Sequence, residues 1–263
     1  VILASVLLKM GGYGFLRFSL PMTPLGVEAF APWVLALSVA AIIYGGFTAL
    51  AQSDMKRLVA YSSVAHMGFV TLGIFILNTR GVEGAVLQMI NHAITTGALF
   101  LCVGIIYERT HTRELAAATG IGLAMPACVT GLALFGLSSL AFPGTNSFVG
   151  EFMVLAGGFA YSPSLAALTI PGVVLGAAYM LRMLQRVIWG GTANPDSSHL
   201  TDLNAREAVT LAFLALFVLW IGFSPGPFTG VMHTSVAHLL EQVRAGSIST
   251  SPQPPPDSER GAR

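Results

Sequence analysis

Apolar residues occupy this chain in unbroken runs and not in helical stripes. Runs of about the roughly 20 residues needed to cross hydrocarbon extend from Val1 to Leu20, Trp33 to Ala51, Leu58 to Leu77, Gly84 to Tyr107, Leu165 to Trp189 and Val209 to Phe223. Each predicts one membrane helix. Between the fourth and fifth lies Ile121 to Phe159, which as one straight helix would reach roughly 58 Å, too long for an ordinary crossing. Phe142-Pro143-Gly144-Thr145-Asn146-Ser147 interrupts it, so the segment is either two spans or one broken span.

Basic residues separate these alternatives. With one crossing, Lys56, Arg57, Arg109, Arg113, Arg182, Arg186 and Arg206 all fall at one face, leaving Arg17 and Arg80 opposite. With two crossings the last three change sides and the bias vanishes. The positive-inside rule therefore favours one crossing built from half-helices at about Ile121 to Leu140 and Ser147 to Phe159. The basic face is then cytoplasmic and the C-terminus external.

After Phe223 the chain turns at Ser224-Pro225-Gly226-Pro227 and continues as a short amphipathic stretch to about Arg244. Residues 245–263, rich in Pro, Ser and charge, lack an apolar period and predict a disordered polar tail. The chain opens at Val1 within an apolar run and without a charged leader, which predicts a piece of a longer protein.

Composition agrees with an all-α polytopic membrane bundle. The chain has 263 residues, 54% hydrophobic and 10% charged, with a mean hydropathy of +0.73. A soluble domain carries about a quarter charged residues. The net charge of +1 gives no reason to expect nucleic acid. Cys102 and Cys128 lie singly in apolar runs, away from metal or redox spacing, and read as small core residues.

Besides the arginines, which always stay charged, four acidic, basic or imidazole residues fall inside predicted spans: Lys9, His66, His92 and Glu151. Such groups are costly in lipid and mark ion or proton pathways by default. Glu151 follows the interruption by four residues, and burial disfavours a charged carboxylate, so it can exchange protons. The interrupted helix beside it frees backbone groups that can face a cavity. Lys9 sits near the middle of the first span among Gly11, Gly12 and Gly14, which permit close helix approach; the alternative is a lysine snorkelling to an interface. His66 lies in a hydroxyl-rich stretch, Tyr61-Ser62-Ser63-Val64-Ala65-His66, and His92 in Gln88-Met89-Ile90-Asn91-His92-Ala93-Ile94-Thr95-Thr96. Histidine takes and releases protons near neutrality, although either imidazole could equally be a structural donor. No cysteine or carboxylate is spaced to complete a zinc site with them.

Asp54 and Lys56, in Gln52-Ser53-Asp54-Met55-Lys56-Arg57, read as a helix cap with interfacial cations or as a cytoplasmic proton intake. Glu108, Arg109, His111, Arg113 and Glu114 read as a solvated loop, and Arg182 with Arg186 as snorkelling cations on one helix face. The glycine cluster after Lys9 follows no strand, which excludes a nucleotide site.

The segments LLKMGGYGFLRF, AQSDMKRLVAYSSVAHMGFV, GAVLQMINHAITTGALFL, YERTHTRE and FPGTNSFVGEF together resemble the antiporter-like subunit, chain M type, of bacterial proton-pumping NADH:quinone oxidoreductase, respiratory complex I. The resemblance runs from Val1 to about Phe223. It implies an inverted-repeat fold in which residues 1–20 are the last helix of a first repeat. Residues 33–189 would form a second five-helix repeat with its broken helix at 121–159, and 205–244 the final span and amphipathic stretch. It matches Lys9 to the family's central lysine, His66 and His92 to the histidines of its hydrophilic axis, and Glu151 to the carboxylate of the second broken helix. It also implies no cofactor here, with NADH, flavin, iron–sulfur clusters and quinone in partner subunits. The partners implied are the other membrane-arm subunits, the neighbouring antiporter-like ones above all, in a bacterial inner membrane.

The expected function is thus a non-redox proton-pumping subunit that relays protons through Lys9, His92, His66 and Glu151. Two alternatives compete: a subunit of a multisubunit cation/proton antiporter, and a membrane scaffold whose buried charges are structural ion pairs.

Overall fold

The computed structural model describes residues 1–190 and 200–250, the side chains of 247–250 excepted. Among them the regular structure is helical, apart from one isolated bridge between Asp54 and Glu114. The N-terminal rod alternates wide and regular turns: η1 (Leu3–Leu7) and η2 (Phe15–Ser19) are π-helical, α1 (Leu8–Gly14) and α2 (Leu20–Met22) are α-helical. Then follow α3 (Pro24–Leu50), α4 (Met55–Phe75), α5 (Thr79–Thr110), α6 (Pro126–Ser139), α7 (Asn146–Tyr161), α8 (Pro163–Trp189), α9 (Ala205–Phe223) and α10 (Gly226–Thr250). Among the described residues five helices, α3, α4, α5, α8 and α9, are long and apolar enough to cross a membrane.

Local chemistry sets most of the ends. The Asp54 carboxylate accepts the Arg57 N–H to start α4, and the Asn78 side chain accepts that of Gly81 to start α5, each satisfying a donor with no partner in the first turn. A reciprocal capping box between Asn204 and Glu207 opens α9. The α6 terminus is capped from a distant loop instead: Asp202 accepts from Ala127 N at 2.7 Å and Cys128 N at 3.1 Å. Burial alone would raise the Asp202 carboxyl, but the N–H donors of Ala127, Leu203 and Cys128 and the charge of Arg109 outweigh it and hold it below the ordinary aspartate range.

Inter-helix contacts show that α6 and α7 make a single crossing. At one end, the bridge around Asp54 joins the start of α4 to residues following α5, and Arg109 of α5 pairs with Glu207 of α9 at 2.6 Å. Arg182 of α8 donates to the carbonyl of Leu50. The start of α6 belongs here, through Asp202. At the other end, Asn78 before α5 donates to Gly157 of α7 at 2.8 Å. The pair therefore runs antiparallel to α5 and breaks midway, between Leu140 and Thr145. Gly144 has φ +93° and Ala141 φ +58°, a backbone that only glycine adopts freely, and Pro143 cannot donate to a ladder. All the basic residues assigned to one face lie on helix ends or loops at this first end.

The sequence reading needs two corrections at helix boundaries. The second span begins nine residues before Trp33, since Pro24 starts α3 and Pro32 is carried inside it; packed neighbours make an internal proline tolerable in such helices. The polar tail set at 245–263 is helical as far as Thr250. Val236, Leu240 and Val243 bury that helix against the bundle, and Gly246 passes close to Pro24, where a Cβ would meet Cγ at 2.7 Å. Helix propagation then extends the last turn until a breaker intervenes. The remainder of that tail, 251–263, lies outside the described residues. Cys102 and Cys128 are free thiols in the core between α5 and α6.

Candidate functional site

Four helices bring the four ionisable residues into one row. Lys9, half-buried on α1, places Nζ 2.6 Å from His92 Nδ1 of α5 and donates to the carbonyl of Ala4 within the π-helical turn. An ammonium only donates, so beside protonated Lys9 the neutral His92 ring accepts at Nδ1 and carries its proton on Nε2. The rings of His92 and His66 of α4 stand 5.5 Å apart, centroid to centroid, at 63°. His66 Nδ1 lies 2.8 Å from Glu151 Oε1 of α7. Gln88 Nε2 donates to the same oxygen at 2.9 Å. His66, His92 and Glu151 are all buried.

The far side of His66 is equipped to accept. Ser139 Oγ stands 3.3 Å and Tyr179 Oη 3.4 Å from Nε2. With hydroxyl donors at Nε2 and a carboxylate at Nδ1, the neutral ring holds its proton on Nδ1 and donates it to Glu151. A small cavity of about 10 Å³, lined by His66, Ser139, Leu140, Glu151, Gly176 and Tyr179 among others, lies at the helix break. It adjoins both ends of the His66–Glu151 bond and is roomy enough for about one water.

Close backbone approach makes this geometry possible. Gly150 faces α5, and a Cβ there would stand 2.5 Å from Gln88 Oε1 and 3.1 Å from Asn91 Nδ2, nearer than atoms pack. Beside it a second polar cluster spans the break. Asn91 donates to the Asn146 carbonyl at 2.7 Å, Ser138 Oγ donates to Asn146 Oδ1 at 2.6 Å, and Thr95 joins both. Among the described residues Ser5 Oγ, Gln88 Oε1, Asn91 Oδ1 and His92 Nε2 are buried polar atoms without a partner. All four sit on the N-terminal rod and α5 beside the row and retain unused hydrogen-bonding capacity.

Asp54 and Lys56 stand apart from this row. Asp54 caps α4 at the basic end, twelve residues before His66, or roughly 18 Å of helix, and Lys56 is exposed. Two neutral participants, and one carboxylate away from the row, escape the sequence reading. Tyr179 is an uncharged phenol in a long apolar run. Gln88 was visible only as a polar neighbour of His92. Glu83 is a buried carboxylate 2.6 Å from His233 Nδ1 of α10; a fourth span starting at Gly84 leaves it outside, whereas Asn78 caps the helix five residues earlier.

The sequence and the fold resemble those of known proteins. NADH-quinone oxidoreductase subunit M of Rhodobacter capsulatus is 48% identical over 245 residues, which is 93% of this chain and 48% of that protein. Respiratory complex I from Thermus thermophilus with bound NADH contains a chain that superposes with a TM-score of 0.85 at 31% identity, over 89% of this chain and 50% of that one. The Mrp complex from Dietzia sp. shares the fold, with a TM-score of 0.71 at 17% identity over 81% of this chain and 49% of that one. This chain thus spans about half the length of the relatives it matches. Residues 1–176 match the model of one family throughout, and with the discontinuous helix and these relatives they place the chain in the NADH:quinone oxidoreductase/Mrp antiporter transmembrane family.

Proposed function

We propose that this chain is the proton-translocating part of an antiporter-like subunit of NADH:quinone oxidoreductase, moving protons sideways along Lys9, His92, His66 and Glu151. The observation that carries the reading is the row itself: four ionisable side chains from four helices, with contacts of 2.6 and 2.8 Å at its two ends. A structural ion pair needs two such groups, and a row of four linked through two imidazoles exceeds that need.

Each member has the chemistry its place requires. Lys9 loads or empties next to His92 Nδ1. A proton passed to that nitrogen leaves a His92 cation whose Nε2–H has no partner among the described residues. The ring centroids are 5.5 Å apart and His92 Nε2 has no hydrogen-bond partner among the described residues, so a water between the rings would complete the link. His66 can take a proton at Nε2, beside the Ser139 and Tyr179 hydroxyls, and release one from Nδ1 to Glu151. Charge at one member alters the proton affinity of the next, so neutralising Lys9 would bias transfer along the row.

The subunit's role is non-redox: NADH, flavin, iron–sulfur clusters and quinone belong to partner subunits, and its neighbours are other membrane-arm subunits. The concentration of Arg and Lys at the end holding Asp54, Arg109 and Arg182 supports a cytoplasmic face there. The opposite face and the C-terminal tail would then be external to a bacterial inner membrane. Asp54 and Lys56, at the basic end, would serve as proton intake.

The test is NADH-driven proton uptake in vesicles carrying the complete complex with Glu151→Gln in this subunit. The reading expects uptake to fall at least about tenfold, a floor below the usual contribution of one proton-transfer group. Unchanged uptake would support a scaffold instead. Proton exchange driven by a sodium gradient without NADH oxidation would favour the cation/proton antiporter.

A further inference from the structure

Asn146 is the first residue of α7 and is completely buried, with 0% of its surface exposed. Its Oδ1 accepts from Ser138 of α6 at 2.6 Å and from Thr95 of α5 at 3.2 Å, and these two hydroxyls are 2.8 Å apart. Its Nδ2 donates to the Asn91 carbonyl at 3.4 Å, while the Asn91 amide donates to the Asn146 carbonyl at 2.7 Å. One side chain therefore ties both halves of the broken helix to α5. Thr145, in the N-cap position, gives its hydroxyl to Phe142 and caps nothing. The first turn of α7 is thus anchored by its neighbours instead of by a cap of its own.

Glu151 lies five residues further along, roughly 7.5 Å up the helix. Its bonds to His66 and Gln88, at 2.8 and 2.9 Å, would not survive a helix shift of about 1 Å, since such bonds weaken steeply beyond their normal range. We infer that Asn146 is the positioning residue for the relay: it fixes where the second half-helix begins and so holds Glu151 against His66 and Gln88. This rests on the proton-relay reading above. The groups that bear on Glu151 are His66 from α4, with Tyr179 of α8 behind it, and Gln88 from α5; His92 and Lys9 lie beyond His66. α9, also packed on α7, carries no charge after Glu207.

The experiment uses the complete complex in membrane vesicles with Asn146→Ala, with the near-isosteric pair Thr95→Val and Ser138→Ala, and with Glu151→Gln as reference. Two quantities are read: NADH-driven proton uptake against pH, and the infrared carboxyl band that Glu151→Gln removes. Asn146→Ala is expected to lower uptake about fivefold, the effect of one to two lost hydrogen bonds, and to displace the pH at which the carboxyl band titrates. The Thr95/Ser138 pair reproduces both effects and decides the matter if Asn146→Ala does not assemble. Assembled variants with wild-type uptake and an unmoved band overturn the inference while leaving the relay intact. Wild-type uptake in Glu151→Gln overturns the relay and this inference together.

Discussion

Gly150→Ala tests how closely the half-helix must approach α5. A Cβ at this position would lie 2.5 Å from Gln88 Oε1, 3.0 Å from Gln88 Cα and 3.1 Å from Asn91 Nδ2. The first distance could be relieved by turning the Gln88 amide away, which sacrifices its bond to Glu151. The second involves backbone, and only separation of the helices relieves it. Overpacking of this kind costs about 1–3 kcal/mol, partly offset by up to about 1 kcal/mol of better helix propensity in alanine. Gly104 on α5 has nothing within 4 Å of its Cβ direction and supplies the control, since Gly104→Ala keeps only the favourable term. Thermal unfolding of the purified complex should therefore place Gly150→Ala below Gly104→Ala by about 1–3 kcal/mol. Proton uptake should fall in Gly150→Ala alone. Equal stability and equal uptake for the two alanines would refute the reasoning.

Other perturbations have separable outcomes. Tyr179→Phe removes one hydroxyl beside His66 Nε2 while keeping the ring, so proton uptake should fall about two- to tenfold with assembly unchanged; gel filtration and uptake assays check this together. Asp202→Asn keeps an acceptor but removes the negative charge at the α6 N-terminus, a loss of about 0.3–1 kcal/mol. Because the folded Asp202 carboxyl sits below its ordinary value of 3.8, its contribution is present above that pH and fades as pH falls through the lower folded value. Unfolding measured from pH 7 downward, to about 2, should show variant and wild type converging in acid. Arg109→Ala leaves Glu207 without its guanidinium partner and frees the loop at Thr201 and Asp202, so limited proteolysis should cut that loop faster.

The architecture was legible because lipid imposes it. Unbroken apolar runs of crossing length announce helices, and Pro143-Gly144 within a run too long for one span announced the break. Arginine placement then distinguished one crossing from two, and the antiparallel course of α6 and α7 against α5 bears this out. Helix boundaries were less legible. Proline stops a reader of local propensity, yet Pro32 sits inside α3, and Gly246 ends nothing because α10 needs a bare backbone against Pro24.

The row was legible in part, since an ionisable residue within an apolar run is conspicuous by its cost. Which residues meet could not be read. His66 and Glu151 are 85 positions apart, Lys9 and His92 83, and their contact depends on lateral packing of α1, α4, α5 and α7. The neutral members, Tyr179, Gln88 and Asn146, carry no charge to betray them. Glu83 was hidden by a boundary error of five residues.

The claim that these groups act as one relay is tested most directly by a double-mutant cycle on NADH-driven proton uptake, with Lys9→Met, Glu151→Gln and both together in the complete complex. Members of one unit are strongly non-additive. The account expects the double variant to pump no worse than the poorer single one. Losses that multiply, each residue acting in ignorance of the other, would contradict it.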